Sequence, residues 1–238
     1  MIEQVFAFDG TDLTDYVTVH SVTRLVGPGR EWTEAAVPGS DGSYVSGVRL
    51  KAYEAEVRCL MRAAAPDEVE LDRRVIARAL SPREPRPLVL PGMGGASLMA
   101  LYKGGDELSR LGQHPDFTLT FLVTDPVARG ARRTASVAGS ATVAVGGTAP
   151  ARPVVTCRPT KSPWRITNVS TGEFVEVSGP FDGNATVTLD MAAERCRIGT
   201  GDAPVSLGSD FFAMEGGGHV RLSVSSGRAE LEWEERWY

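Results

Sequence analysis

Three aspartates near the start of the chain form its densest carboxylate cluster. Asp9, Asp12 and Asp15 follow one another at three-residue intervals, and carboxylate oxygens are ligands that Ca²⁺ prefers. Calcium loops place their ligands at alternate positions around a central glycine, and a three-residue spacing does not converge in that way. We therefore predict turn and cap roles for these side chains rather than a metal site.

Four glutamates late in the sequence could be read as the paired acids of a glycosidase. They are Glu230, Glu232, Glu234 and Glu235. The first three alternate with apolar residues, which is the pattern of a strand with one solvated face. This spacing predicts the outer face of a terminal strand, open to solvent or to a partner, and not a catalytic pair.

The histidines and cysteines form no cluster in the sequence. The histidines lie far apart, each without an adjacent Cys or carboxylate set: His20, His114 and His219. The cysteines are an odd, widely spaced set without a C-x-x-C pair: Cys59, Cys157 and Cys196. We predict surface or strand histidines and reduced, mostly buried thiols, as in a protein that folds in a reducing cytoplasm.

The known catalytic motifs are missing from the sequence. It contains no G-x-S-x-G elbow, no Walker loop and no H-E-x-x-H pair. Gly92 to Gly95 superficially resembles a phosphate loop, but Ser97 occupies the position of the last glycine and Leu98 to Tyr102 resembles a strand. No helix N-terminus would then be available to hold a phosphate. We predict an ordinary turn there, and no catalytic residue, cofactor or metal site in the chain.

Length and composition exclude several classes of protein. The chain has 238 residues, a formal net charge of -5 and 42% apolar residues. This length suffices for one large or two ordinary domains, each with its own core. The negative charge argues against a protein that wraps nucleic acid. No apolar stretch approaches about 20 residues, and the first residues lack the pattern of a secretory signal, so we expect a soluble protein.

Short apolar runs separated by glycine and proline predict a mainly β fold. One helix is predicted over about residues 66–80, because Pro66 presets φ, acidic residues fill the first turn and arginines lie toward the end. The alternation phase changes near Ala52-Tyr53, which predicts a β-bulge within one long strand. Asp182-Gly183-Asn184 predicts a hairpin turn later in the chain.

A change in composition divides the sequence into two predicted domains. Between Val127 and about Arg152 small and permissive residues dominate, with one weak strand candidate at Thr142 to Val145. We place the boundary at Val127 to Arg133. The sequence therefore predicts an N-terminal β domain over residues 1–130, which includes the helix, and a C-terminal β-sandwich or jelly roll over residues 131–238.

One stretch of the sequence is basic throughout. No acidic residue lies between Pro126 and Gly172, whereas arginines and a lysine recur along it. Set against the acidic terminal strand, this arrangement has two interpretations. Charges segregated by region could register one copy of the chain against the next, or the stretch could be a solvated basic linker.

An ordered series of strands and turns resembles the distal tail protein family of long-tailed, non-contractile bacteriophages. The series includes Phe6 to Gly10, Leu13 to Val17 and the strand Phe117 to Val123. The family-motif turn residues are Pro38, Gly39, Asp41, Gly42, Asp125 and Pro126. The second half resembles the family's galectin-like sandwich, with the entry Gly146 to Pro153 and the ending Arg236-Trp237. The resemblance covers nearly the whole chain, without the inserted carbohydrate-binding modules of some relatives.

This resemblance implies a fold, a role and a set of partners. The fold would be an N-terminal β-barrel-like ring domain with one helix, followed by a galectin-like β-sandwich. Six copies would form a ring that joins the tail-tube protein to the baseplate hub or tail-tip fibre, with receptor-binding components docked on the sandwich. DNA would only pass through the channel. The implied location is the virion tail tip, after assembly in the host cytoplasm, with no enzymatic activity, cofactor or membrane.

Two other classes of protein stay open. A carbohydrate-binding sandwich module that acts in host-surface adhesion would use Trp164, Trp233 and Trp237 as stacking platforms, although Trp233 lies in the apolar phase of its strand. An enzyme that hydrolyses a cell-wall substrate would depend on a single essential carboxylate.

Overall fold

A computed structural model describes residues 5–39, 41–63, 65–106, 115–181 and 185–238. The described chain contains many β-strands and one α-helix, so the predicted mainly β fold is confirmed. It divides into two compact units between Ala128 and Arg129. The start of the first predicted strand, His114 and the predicted hairpin turn at 182–184 lie outside the described residues.

The first unit is a β-sheet with a helix packed on its core. Its strands pair in the order β3, β6, β9, β8, β7, β1 and β2, and β4 and β5 form a separate two-stranded sheet. The elements are β1 (Ala7–Phe8), β2 (Thr11–Asp12), β3 (Val17–Thr23), β4 (Arg30–Ala36), β5 (Ser43–Leu50), β6 (Tyr53–Met61), α1 (Pro66–Ala79), β7 (Arg86–Val89), β8 (Ser97–Gly105) and β9 (Asp116–Val145).

An aromatic cluster lies in the core of the first unit. The ring of Phe121 lies 5.3 Å from that of Phe8, 5.8 Å from that of Tyr102 and 6.3 Å from that of Phe6, measured between centroids. Phe6, Phe8 and Phe121 are fully buried. Rings at these separations attract one another beyond the gain from burial alone, so the cluster ties β1, β8 and β9 together.

Helix α1 has the bounds that the sequence predicts, to within a residue at its end. Pro66 occupies the first turn, where its missing N–H has no helical partner to lose. Val69, Ile76 and Ala79 are buried against the core of the first unit. Val75 lies on the same helix, but its side chain is exposed.

The predicted bulged strand around Ala52-Tyr53 is wrong, because two strands meet there. β5 ends at Leu50 and pairs only with β4 among the described residues, whereas β6 begins at Tyr53 and pairs with β3 and β9. The phase of alternation changes because the chain leaves one sheet and enters another. The register shifts instead lie between Val19 and Ser21 and between Glu31 and Thr33.

The small and permissive residues after Val127 do not interrupt the strand, since β9 continues through them to Val145 and includes the strand candidate at Thr142 to Val145. The early residues of β9 pair with β6, and the strand also pairs with β16 (Gly218–Trp237). Pairing with a neighbour satisfies the backbone wherever side chains are small, so local composition did not end the strand. Asp125 and Pro126, expected to end a strand, lie inside β9.

The second unit contains the later part of β9 and seven further strands within its described residues. β16 pairs through its early residues with β11, which also pairs with β12. Through its later residues β16 pairs with β10, which is followed in the sheet by β13, β14 and β15. β16 therefore belongs to both groups of strands. Both groups enclose a second apolar core. The strands are β10 (Val154–Cys157), β11 (Trp164–Asn168), β12 (Phe174–Val177), β13 (Val187–Asp190), β14 (Arg195–Ile198), β15 (Gly201–Asp202) and β16 (Gly218–Trp237).

The entry and the final strand of the second unit contact each other directly. The N–H groups of Thr148 and Ala149 both donate to the carbonyl oxygen of Arg236, at 2.8 and 2.9 Å. Gly147 has a φ of +84°, and a Cβ added there would overlap the backbone of Arg236. Only glycine combines this dihedral angle with so close an approach, so Gly147 allows the two segments to join.

We expect Gly147→Ala to lower the free energy of unfolding of the second unit by about 2 to 4 kcal/mol, because it adds overlap to an unfavourable φ. Gly172 is the matched control, since its φ is +86° but a Cβ there would meet no atom within 4 Å. Gly172→Ala should cost about 1 kcal/mol, from the dihedral angle alone. Urea unfolding followed by tryptophan fluorescence measures the free energy of unfolding of each variant. An equal loss of free energy in Gly147→Ala and Gly172→Ala would contradict the role given to the close approach between Gly147 and Arg236.

Candidate assembly surface

The aspartate cluster has the contacts of turn residues. Asp12 Oδ1 accepts a hydrogen bond from the Thr14 N–H at 2.8 Å, and hydrogen bonds from Thr14 lower the pKa of the Asp12 carboxyl. Asp9 occupies the two-residue turn between β1 and β2 with a φ of +49°, and its carboxylate lies 3.8 Å from Arg86. Asp9 and Asp12 therefore stabilise local structure rather than one shared site.

The glutamates of the terminal strand pair with the basic stretch of β9. Arg132 lies 3.2 Å from Glu232 and 3.5 Å from Glu234, and Arg133 lies 2.9 Å from Glu235. The predicted outer strand face is confirmed, since Glu232 is exposed. The charges that are segregated along the sequence lie side by side at these positions, because β9 and β16 are neighbouring strands.

Histidine and cysteine side chains are dispersed in the structure. His20 and His219 are exposed on separate strands, and the three cysteines are free and buried. Burial raises the pKa of the thiol to about 12 in Cys59 and to about 11 in Cys157 and Cys196. Among the described residues, no group of three or more His, Cys, Asp or Glu side chains could hold a metal ion.

The glycine-rich segment at Gly92 to Gly95 is the connection between β7 and β8, as predicted. Gly92, Gly94 and Gly95 all have positive φ, and the Ala96 N–H donates to the carbonyl oxygen of Met93 at 3.1 Å. A strand follows it instead of a helix. The segment is therefore a turn.

Two of the three candidate stacking tryptophans belong to the core of the second unit. Trp164 is fully buried and its indole N–H donates to the carbonyl oxygen of Ser226 at 3.0 Å. Trp233 is 4% exposed, whereas Trp237 is 40% exposed. Trp164 and Trp233 therefore present no ring face to a ligand.

The most unusual surface of the first unit is the β4–β5 hairpin, residues Arg30–Leu50, which we call the arm. All of its described residues are exposed, and within the described chain β4 and β5 pair only with each other. Large apolar side chains nevertheless recur along it and beside its tip: Trp32, Val37, Tyr44, Val45, Val48 and Leu50. The arm thus carries apolar area without a core to bury it.

Both faces of the arm carry an exposed aromatic side chain. The Trp32 indole N–H donates to Glu34 Oε1 at 2.5 Å, and Glu34 is opposite Val45, so these three side chains share one face, the Trp32 face. Ala35 is opposite Tyr44, and this pair lies on the other face, the Tyr44 face. Trp32 is 50% exposed and Tyr44 is 65% exposed.

The first four family-motif turn residues lie at the tip of the arm. Pro38, Gly39, Asp41 and Gly42 connect β4 to β5, and the two glycines have φ values of +80° and +93°. Such dihedral angles suit glycine and let the chain reverse tightly. Sequence reasoning found this tip but missed β4 and Trp32, whose only signal was an aromatic residue shortly before the turn.

An isolated two-stranded hairpin is marginally stable in water, and contiguous exposed apolar surface marks interaction sites. Aromatic side chains are also the residues that most often anchor protein interfaces. The arm therefore fits a protein-protein contact better than a site for chemistry. No helix of the described chain is both long and apolar enough to span a bilayer.

Two family models match the sequence, one in each unit. A phage tail protein RIFT-related domain matches residues 11–123, and the C-terminal domain of a siphovirus-type tail component matches residues 146–237. Together the two matches account for most of the chain. No curated protein sequence matches it significantly.

Solved structures with a similar fold come from phage tails. The crystal structure of the SPP1 Dit protein, described as a paradigm of the hub adsorption apparatus in phages that infect Gram-positive bacteria, superimposes with a TM-score of 0.81 at 20% identity. The superposition covers 98% of this chain and 99% of that one. A chain of the phage P2 baseplate in its activated conformation matches at 7% identity with a TM-score of 0.48, over 98% of both chains.

We expect the native protein to be inert toward thiol reagents at neutral pH, because burial both shields the thiols and keeps them protonated. Incubation with an alkylating reagent followed by mass measurement should show no adduct on Cys59, Cys157 or Cys196. After unfolding in guanidinium, the same treatment should add three groups. Rapid labelling of the folded chain would contradict the burial described above.

Proposed function

We propose that this chain, a member of the siphophage distal tail protein family, assembles with identical copies into a ring. The protein is a structural component of the phage tail. The ring would connect the last tail-tube ring to the baseplate hub or tail-tip fibre. Six copies are expected from the family resemblance.

The exposed apolar surface of the arm is the observation that supports this proposal. The apolar side chains of the two cores are buried within their own units, whereas Trp32 and Tyr44 on the arm are at least half exposed. Burying such side chains stabilises a complex by roughly 25 cal/mol per Å² of apolar area, before the costs of association. A second copy of the chain supplies a covering surface in any purified preparation.

A contact that is not reciprocated between two copies would give a ring rather than a dimer. If the arm of one copy contacts a different surface on the next copy and the next copy passes its own arm onward, the interface is heterologous, and repetition of the same rotation closes a ring or builds a filament. A ring leaves a central channel, through which DNA would pass. The net charge of -5 disfavours tight binding of DNA there.

The second unit would serve as a docking platform for receptor-binding components. Its exposed strands carry paired charges, such as Arg132 with Glu232 and Arg195 with Asp202. Paired surface charges give specificity to a contact while adding little stability to the free protein. The three free thiols are consistent with synthesis and assembly in a reducing host cytoplasm.

The alternative role as a carbohydrate-binding module has less support. Its stacking platforms were Trp164, Trp233 and Trp237, and the first two are buried. Of two cavities on the described part of the second unit, one has no aromatic side chain in its lining and the other has only the buried Trp233. We therefore favour the ring component.

The ring itself gives a direct prediction. Purified protein at micromolar concentration should form closed particles with central channels in negative-stain images, and native mass spectrometry should give a single multiple of the chain mass, six in the first instance. A strictly monomeric mass across this concentration range would contradict the proposed function.

A variant that removes both arm anchors, Trp32→Ser with Tyr44→Ser, should stay monomeric, because it removes the apolar area that association buries. Its unfolding temperature should match that of the wild-type monomer, since neither side chain packs on a core. Leu71→Ser is the matched control: Leu71 is 60% exposed on α1, away from the arm. Assembly by the double variant at wild-type concentrations would remove the arm from the interface.

A further inference from the structure

An apolar groove on the first unit offers a surface of the kind that the arm needs. It encloses about 420 Å³ between α1 and the strands β6, β8 and β9. Five of its lining residues are core side chains that are largely buried: Met61, Ile76, Leu80, Phe117 and Leu119. Cavities of roughly 300–1,000 Å³ with apolar linings are typical of sites that bury a ligand.

Two charged side chains also line this groove. Arg73 and Asp106 both belong to the lining and both are exposed, so they lie toward solvent above the apolar floor. Arg73 donates from Nε and Nη2 to the carboxylate of Glu70, at 2.7 and 2.8 Å. A guanidinium has five N–H donors, so the rest of this group can bind another acceptor.

The Trp32 face of the arm has the matching pattern. Trp32 is its largest apolar side chain, with Arg30 two residues before it and Glu34 two residues after it. Glu34 accepts the indole hydrogen bond with one oxygen and is exposed. The arm therefore presents a cation, an aromatic ring and an anion in series, and the lining of the groove combines apolar side chains with one anion, Asp106, and one cation, Arg73.

We infer that Trp32 of one copy inserts into this groove of the next copy, where Glu34 meets Arg73 and Arg30 meets Asp106. The inference rests on the proposed function and identifies the surface that receives the arm. Trp32 and the groove occupy different parts of the same chain, so each copy offers one of each, and the contact can repeat from copy to copy around a ring.

The charge pairs set the direction in which the arm lies. In the reverse orientation Glu34 would face Asp106 and Arg30 would face Arg73, and like charges brought together in an interface are unfavourable. The Tyr44 face lacks this arrangement, since Thr33, Ala35 and Ser46 surround its aromatic residue. The groove is therefore specific for the Trp32 face.

Cross-linking between copies tests the contact. Glu34→Cys and Arg73→Cys replace a predicted pair at the surface while Trp32 is kept, and the three native thiols are buried and do not react. With a short bis-maleimide, a mixture of the two single variants should give a covalent dimer, and each variant alone should give none. The variant that carries both cysteines should give a ladder that ends at the size of the ring.

Ala35→Cys is the matched control for the arm, because Ala35 is adjacent to Glu34 but lies on the Tyr44 face. Mixed with Arg73→Cys it should give little product. The inference would be overturned if rings form without a cross-link between positions 34 and 73, or if Ala35→Cys cross-links to Arg73→Cys as well as Glu34→Cys does. Either result would leave the proposed function standing. Wild-type protein that never assembles would overturn both.

Substitutions that remove the anchor or fill the groove give an independent readout. Trp32→Ala and Ala77→Trp should each raise the concentration for half-maximal assembly roughly 30-fold or more, as for other interface hot spots. Leu71→Trp, on the same helix outside the groove lining, should leave it unchanged. Normal assembly by both Trp32→Ala and Ala77→Trp would show that the groove is not the receiving surface.

Discussion

The need to bury apolar side chains is the constraint from which this structure follows. A β-strand hides one face only if another layer covers it, and in both units the described strands and α1 supply that layer. The first unit covers its sheet around Phe121, and the second encloses Trp164 and Ile166. The arm has no such layer on either face, although it carries Trp32 and Tyr44. A monomer leaves this area in water, and an assembly removes it.

This constraint explains why the proposed function depends on an exposed arm rather than on a cavity with reactive groups. In the described chain the carboxylates and thiols that could do chemistry are used locally. Asp12 holds a turn through Thr14, Cys59 is enclosed by the core, and Glu232 pairs with Arg132. The remaining exposed apolar groups are suited to contacts between proteins, as a structural tail component requires.

The second unit depends on a different contact, between its entry and its last strand. The carbonyl oxygen of Arg236 accepts from two successive N–H groups, and Gly147 permits the approach. The neighbouring strands β9 and β16 also bring Arg133 beside Glu235. Hydrogen bonds between segments far apart in sequence restrict the chain strongly, so a few backbone contacts join the two ends of this unit.

The sequence by itself determined the elements whose signals are local. Pro66 and the acids after it begin α1, the dipeptide Asp9-Gly10 makes the first turn, and Pro38 to Gly42 makes the tip of the arm. The order of these landmarks was enough to indicate the family. Local propensity reports on neighbours in the chain, and it indicated these three elements correctly.

Only the tertiary structure decided features that depend on pairing over long distances. β9 runs through Gly130 because the partner strand β16 satisfies its backbone, although glycine and small residues suggested a linker. Trp164 is buried because it lies in the core of the second unit, whereas Trp32 is exposed because it lies on a hairpin that pairs with no other strand of the described chain. The residues next to each tryptophan in the sequence do not encode this difference. Burial is a property of the folded chain as a whole, and for this reason the arm became visible as an exposed apolar surface only in three dimensions.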